Sequence, residues 1–256
     1  MKGPPESLWA ALPLGRGVEL LARDPNGLAA LSKPAGILSH PNAAGDEARS
    51  LLRALYRMDG EFYEWPGNRL WLLNRLDSAT SGVILVAADA ALAETIRVQF
   101  KRKQVRKIYQ ALVFGRPRKE SELWRDRLTV KKKGGRIRAE AGFIPAESRM
   151  TVVRSGTAVT LLRLEPQTGR SHQLRVQCAN RGLPIVGDQT YGNFKRNREF
   201  ARAAGTKRMF LHSLETSFDY EFEGKTFHFS AKAPLPPEFE AAANQIHRGG
   251  AENAEE

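Results

Sequence analysis

Cysteine is almost missing from this 256-residue chain: Cys178 stands alone, which excludes an intramolecular disulfide and a thiolate-clustered zinc site. Long apolar runs are missing too, and no stretch approaches the length needed to cross a bilayer. The opening Met1-Lys2-Gly3-Pro4-Pro5-Glu6 lacks the apolar core of a secretory signal. The five histidines lie far apart, without the i, i+4 spacing of a helical metal pair, so no metal and no cofactor is expected. These absences lead to the expectation of a soluble cytoplasmic protein that does not engage a membrane. Hydrophobic residues make up 41% of the chain, enough to build a buried core.

Charge of one sign is scarce in one place. Residues 101–138 hold 15 Lys or Arg against three acids (Glu120, Glu122 and Asp126), which accounts for the entire net charge of +12. Concentrating the imbalance in 38 residues costs self-repulsion. Phosphate neutralisation with counterion release is what such a cluster supplies, and nucleic acid is the partner it suggests. The segment has no wide apolar face to insert into a membrane surface.

No internal repeat or long linker interrupts the chain. Val18–Arg23 and Leu28–Lys33 flank the turn Asp24-Pro25-Asn26-Gly27 and read as a hairpin. Asp46 is placed to cap a helix with Ala48, Leu51, Leu52 and Leu55 on its apolar face. Leu70–Leu76 and Val83–Ala87 read as buried strands, and Asp89 as the cap of a helix carrying Leu92, Ile96 and Phe100. Strands are expected at Lys107–Phe114, Arg136–Ala141, Thr151–Arg154 and Val159–Leu164. A helix from about Ser171 should end at Gly182, a good C′ residue. Alternating aromatics at Phe218, Tyr220 and Phe222, then Phe227 and Phe229, mark a late hairpin. The expected fold class is α+β, with a mixed, largely antiparallel sheet and flanking helices. Residues 1–17 read as a loosely held lead-in, and residues 241–256 as a frayed tail.

Three polar clusters could carry chemistry. Asp77 lies in Asn74-Arg75-Leu76-Asp77-Ser78-Ala79-Thr80-Ser81-Gly82, a short loop between two buried strands, where side chains are held firmly. By itself this Asp fits a turn residue paired with Arg75. The second cluster, Thr168-Gly169-Arg170-Ser171-His172-Gln173-Leu174-Arg175, couples a helix start to fixed cations, and also suits an ordinary helix N-terminus. The third, Lys33-Pro34-Ala35-Gly36 closing on His40-Pro41, is a rigid loop. Tyr109, in Lys107-Ile108-Tyr109-Gln110-Ala111, is by itself a core residue.

Taken in order, these segments resemble the RluA-type pseudouridine synthases. Pro184-Ile185-Val186-Gly187-Asp188 with Tyr191-Gly192, Arg208 to His212 and Ala233-Pro234-Leu235-Pro236 extend the match, which runs from about residue 18 to 240. The resemblance implies a catalytic domain over residues 18–240, with an RNA-binding cleft across its sheet. It implies an RNA isomerase that turns uridine into pseudouridine in ribosomal or transfer RNA, without a cofactor or an obligatory protein partner, as a monomer. It assigns Asp77 as the reacting carboxylate, Tyr109 as the residue packed on the target uracil, and Arg175 as the cation that pairs with Asp77 and keeps it ionised. Arg75 would help to extrude the base. Lys33, His40, Arg170, His172 and the run Lys131, Lys132 and Lys133 would contact RNA.

Two positions depart from the family pattern: Asn74 and Gln177 stand where His is usual, and each keeps hydrogen bonding while losing a titratable group. No S4-type RNA-binding domain, which many relatives carry at the N-terminus, is expected in this sequence, so RNA affinity is expected to come from the catalytic domain. The alternatives are a catalytically silent RNA-binding protein of the same fold, such as a ribosome-assembly factor, and a general basic DNA-binding protein.

Overall fold

The computed structural model of the chain describes residues 4–133 and 136–248. In chain order the elements begin with α1 (Glu6–Ala10), β1 (Glu19–Arg23), β2 (Leu28–Lys33), a 3₁₀ turn (Asp46–Arg49), β3 (Leu55–Arg57), β4 (Phe62–Trp65) and β5 (Asn68–Leu72). Next come β6 (Ser81–Ala87), α2 (Ala90–Lys101), β7 (Arg106–Phe114), β8 (Ser121–Lys133), β9 (Arg136–Ala141), β10 (Ile144–Ser155) and β11 (Val159–Pro166). The rest is α3 (Gln173–Asn180), α4 (Phe194–Ala204), β12 (Leu211–Phe222), β13 (Lys225–Lys232) and α5 (Pro237–Arg248). The expected α+β class with antiparallel pairing is what forms. The chain divides into two compact units, Met1–Arg106 with Ser213–Pro234, and Lys107–His212 with Leu235–Glu256.

In the first unit β6 is the central strand. It lies beside β5, β2 and β12, and every one of its residues is buried. Its alternate side chains enter two cores, which explains why the sequence runs apolar without a polar beat. Val83, Leu85 and Ala87 meet Leu92, Ala93 and Ile96 of α2 and the Phe218–Phe229 hairpin face. Ile84 and Val86 meet Leu31, Leu70 and Tyr63, with Leu8 and Trp9 of α1. Each large apolar side chain buried in this way contributes about 1.5–3 kcal/mol. The Asp89 carboxylate caps α2 through Leu92 N, as the sequence suggests. Asp24 accepts from Asn26 N and Leu28 N and so closes the β1–β2 turn.

Three expectations for this unit need correction. The helix placed after Asp46 is only a 3₁₀ turn. Beyond it the chain extends: Leu38 N donates to Arg49 O, Leu51 N donates to Leu38 O, and Leu52 bridges Leu14. Backbone pairing over long sequence separation satisfies these groups, and Leu55, expected on the apolar face, is exposed in β3. The lead-in is not loose, because Leu8 and Trp9 are buried. The strand begun near Leu70 stops at Leu72, four residues short of Leu76.

Gly82 shows how tightly β6 is placed. Its φ is +114°, and a Cβ there would lie 2.1 Å from the Ser213 carbonyl oxygen. Gly82→Ala is therefore expected to cost about 3 kcal/mol or more, from backbone strain and overpacking together. Equilibrium denaturation measures this, and a loss below about 0.5 kcal/mol, the range of a neutral surface change, would count against so close an approach.

The second unit is an antiparallel sheet in the order β7-β11-β10-β8-β9, with α3 packed on β8 and β9. Leu112, Phe114, Leu161, Val186 and Phe210 form one core with Phe239 and Ala242 of α5. Leu128, Ala139, Ala146 and Val176 form a smaller one beneath α3. The tail expected to fray from Ala241 instead stays helical through Arg248. Residues 249–256 of that expectation lie outside the described residues.

Candidate active site

In the first unit the loop between β5 and β6 carries Asp77. The carboxylate-bearing residue is half-buried, between buried Leu76 and exposed Ser78. Its backbone is fixed at several points. Leu76 N donates to Ser39 Oγ (3.0 Å), and Ser39 Oγ donates to Leu76 O (2.7 Å). Thr80 N donates to Asp77 O (2.9 Å), and Gly36 N donates to Ser78 O (2.7 Å). Lys33 Nζ donates to the carbonyls of Pro34 (3.0 Å), Ile37 (2.7 Å) and Ser78 (3.1 Å).

Lys33, expected among the RNA contacts, is thus wholly buried. An ammonium offers three donors and no acceptor, which suits a cluster of backbone carbonyls. Its place is beneath the Lys33–His40 loop, joining that loop to the Asp77 loop. His40 stacks on Tyr56 with ring centroids 4.8 Å apart, and its Nδ1 lies 2.9 Å from Pro41 O. Burial and the nearby Glu61 carboxylate push the Tyr56 hydroxyl up to about 12. Arg75 is exposed, and its guanidinium reaches Glu61 only at 3.9 Å. Asn74 turns inward: its Oδ1 accepts from Leu85 N at 2.7 Å, so the residue standing in place of His ties the loop to β6.

The second unit gathers Arg175, His172 and Arg170 around α3. Arg175 is buried and bonds Asp188 bidentately, Nε to Oδ2 and Nη2 to Oδ1, both at 2.8 Å. Asp188 Oδ1 also accepts from the amides of Thr190 (2.8 Å) and Tyr191 (3.1 Å). Burial pushes the Asp188 carboxyl up, but the guanidinium and the two amides outweigh it and hold it below the ordinary carboxylate value. The Arg175 guanidinium also lies 5.2 Å from the Tyr191 ring centroid. His172, at the left-handed φ of +55° just before α3, meets the Tyr191 hydroxyl at 2.9 Å through Nδ1. Tyr191 is fixed in turn by Ala139 N at 2.7 Å.

A second polar chain anchors the start of α3. Thr168 Oγ1 donates to Gln173 Oε1 (2.7 Å), which also accepts from Arg170 N (3.0 Å), and Gln173 Nε2 donates to Ser148 Oγ (2.9 Å). Ser148 Oγ donates to Gln177 Oε1, and Gln177 Nε2 donates to Asp126 Oδ2. Gln177, the other position that departs from the usual His, is fully buried and has a structural part in this network. Arg170 is exposed, with Nε 3.2 Å from Pro145 O. Lys107 stands beside the same turn, where burial pushes its ammonium below the ordinary lysine value.

Tyr109 lies on β7 opposite Leu164, half-buried. Lys131 pairs with Glu140 across the β8–β9 hairpin. The side chains of Lys132 and Lys133 lie outside the described residues. Cys178 is fully buried and its thiol is pushed up, which denies it a thiolate's reactivity. No group of His, Cys, Asp and Glu among the described residues could hold a metal ion.

Asp188 and Tyr191, which set Arg175 and His172, have no assigned role at the sequence level. Their segment is visible as a motif, but its service to α3 depends on bonds across 13 and 19 residues.

Two polar clusters are thus firmly held, one around Asp77 in the first unit and one around Arg175 in the second. The sequence profile of the RNA pseudouridylate synthase family matches residues 27–180. The chain belongs to this family. It is 31% identical over 85% of its length to the ribosomal large subunit pseudouridine synthase C of Vibrio cholerae, and covers 66% of that protein. It is 34% identical to the protein of that name from Pasteurella multocida, over 82% of this chain and 63% of the relative. The tRNA pseudouridine synthase C of Yersinia pestis is 27% identical, over 86% of this chain and 88% of its own. The chain thus spans somewhat less than two thirds of the length of several curated relatives. Human RNA pseudouridylate synthase domain containing 4 shares its fold, with a TM-score of 0.68 over 94% of this chain and 96% of the human chain at 21% identity. Human RNA pseudouridylate synthase domain containing 1 does so with a TM-score of 0.65 at 24% identity, over 88% and 87%.

Proposed function

We propose that this RluA-type synthase isomerises uridine to pseudouridine in ribosomal or transfer RNA, and that Asp77 is the reacting carboxylate. The observation that carries this reading is the Asp77 loop. Its backbone is fixed by Lys33, Gly36 and Ser39, while the carboxylate-bearing residue itself remains half-buried. Such preorganisation is what a positioned nucleophile or base requires.

The chemistry breaks a C–N glycosidic bond and forms a C–C bond, with no redox change. A carboxylate can act at a sugar or base carbon, as in covalent glycoside chemistry. Because the uracil stays in the site, a second carboxylic acid to protonate a departing group is not required. Access to the reacting carbon requires the nucleotide to leave its stack, at a cost of a few kcal/mol that stacking and phosphate contacts offset. Tyr109 packs on the uracil, Arg175 faces the carboxylate, Arg75 assists extrusion, and His40, Arg170 and His172 border the RNA. The protein acts in the cytoplasm on this reading.

The test is site-resolved pseudouridine mapping of cellular RNA with and without the protein, repeated with Asp77→Ala. Sites that vanish in both deletion and variant support the isomerase. Sites that persist in both leave a silent RNA-binding protein as the better account.

The basic segment gives a separate prediction. Replacing Lys131, Lys132 and Lys133 by Gln should weaken RNA binding and flatten its salt dependence, by roughly 0.7 in log–log slope for each single-strand phosphate that is no longer neutralised. Lys131 already pairs with Glu140, so its share should be smallest. An unchanged slope would mean that this run does not touch RNA.

A further inference from the structure

The charge arithmetic of the sequence assigns the whole net excess to residues 101–138, and so hides a second cationic cluster. Between Phe194 and Arg208 there are six Lys or Arg (Lys195, Arg196, Arg198, Arg202, Lys207 and Arg208) against one acid, Glu199. In the second unit α4 and the segment that follows it enclose a cleft of about 580 Å³. That volume lies within the range of sites that hold a nucleotide-sized ligand. Arg198, Arg202 and Lys207 line it, and Glu199 does not.

These three cations are exposed and make no ion pair or hydrogen bond among the described residues. Two of their neighbours are already engaged. Arg208 bonds Glu238 at 2.7 Å, and Arg196 donates to Ala158 O at 2.8 Å while stacking on Phe114. Arg198 and Arg202 sit at i and i+4 on α4, where like charges destabilise a helix. No carboxylate among the described residues pairs with either cation, and an anion in the cleft would relieve their repulsion.

The cleft also has aromatic walls. Phe200 and Phe210 form its inner side, their rings edge to face with centroids 5.5 Å apart. Phe194 stands at its rim, 52% exposed, and makes no ring contact among the described residues. Unpaired cations beside an exposed aromatic ring are the two components of a single-strand platform: charge follows the backbone and the ring takes a base.

We propose that the α4 cleft, whose lining includes no residue of the Asp77 loop, is an RNA-binding site that takes one unpaired nucleotide of the substrate. Its phosphate lies against Arg198, Arg202 and Lys207, and its base stacks on Phe194. The inference rests on the reading of the chain as an RNA-modifying enzyme. It supplies a foothold through which single-stranded RNA flanking the target is gripped.

The experiment measures binding of a short fluorescein-labelled oligouridylate to the full chain across a salt series. Two variants are compared with the parent: a triple variant with Arg198→Gln, Arg202→Gln and Lys207→Gln, and Phe194→Ala. The triple variant should bind about tenfold more weakly at low salt, with the log–log slope reduced by roughly 0.7 for the one phosphate left unneutralised. Phe194→Ala should bind at least about fivefold more weakly with an unchanged slope, because stacking releases no counterions. All four cleft positions are exposed, and thermal unfolding checks that each variant is folded.

Parent-like affinity and slope in both cleft variants would overturn the proposal. So would competition by inorganic phosphate or duplex DNA as effective as that by oligouridylate, since the cleft would then bind anions without reading single strands. The isomerase reading fails separately. If the parent forms no pseudouridine while the cleft variants still lose oligouridylate binding, the cleft stands and the isomerase does not. If pseudouridine forms with an unchanged KM in both cleft variants, the isomerase stands and the cleft does not.

Discussion

Asp77→Asn should abolish pseudouridine formation, by at least about a thousandfold, while leaving the protein folded and able to bind RNA. The amide keeps the shape of the carboxylate and part of its hydrogen bonding, but it is neither a nucleophile nor a base. The expectation of an intact fold comes from how the loop is held. Asp77 contributes its carbonyl to Thr80 N, and the flanking residues are fixed by Ser39, Gly36 and Lys33 through backbone atoms and the Ser39 hydroxyl. Those anchors remain in the variant, which should therefore keep the loop in place. Single-turnover assays on an RNA with a mapped site give the rate, and denaturation gives the stability. Activity within about tenfold of the parent would remove Asp77 from the reaction. A variant that is inactive and also strongly destabilised would make Asp77 a structural residue.

Much of this arrangement is legible in the sequence because it is local. The Asp24–Leu28 turn, the Asp89 cap and the Gly182 end of α3 each depend on residues within four positions of one another, or on a single left-handed glycine. The failures are non-local. Ala48, Leu51, Leu52 and Leu55 have helical spacing, yet Leu38 and Leu14 pair with that stretch and draw it out. Strand β8 escapes notice for a different reason. Its inward positions alternate between apolar Trp124 and Leu128 and acidic Glu122 and Asp126, so the hydrophobic beat is broken. Asp126 serves Gln177 and Arg181 from there, and Glu122 accepts from the Trp124 indole. Ordered motifs similarly point to Asp77 and Arg175, while nothing in one sequence reveals that Lys33 turns its ammonium inward or that Asp188 grips Arg175.

That last pair sets the second large effect. Asp188→Asn should destabilise the protein by about 3–5 kcal/mol, because it leaves the Arg175 guanidinium buried opposite a neutral amide. The asparagine carbonyl still accepts from the Thr190 and Tyr191 amides, so the loss reports on the charge pair and not on those bonds. Arg175→Met added to Asp188→Asn removes the cation that has lost its bidentate carboxylate and fills its space. The double variant should therefore regain part of the lost stability. It should not regain activity, since the cation proposed to face the reacting carboxylate is then gone. The pH dependence carries the same signature. A carboxyl held below its ordinary value stabilises fully above about pH 4 and loses that stabilisation as the pH falls through its folded value. The parent should lose stability below about pH 4 in part through Asp188, and Asp188→Asn should show a shallower decline over that range. Denaturation series at several acidic pH values measure both slopes. Parallel curves for parent and variant would mean that Asp188 is not held ionised by Arg175, and a double variant with full activity would mean that Arg175 only supports the fold.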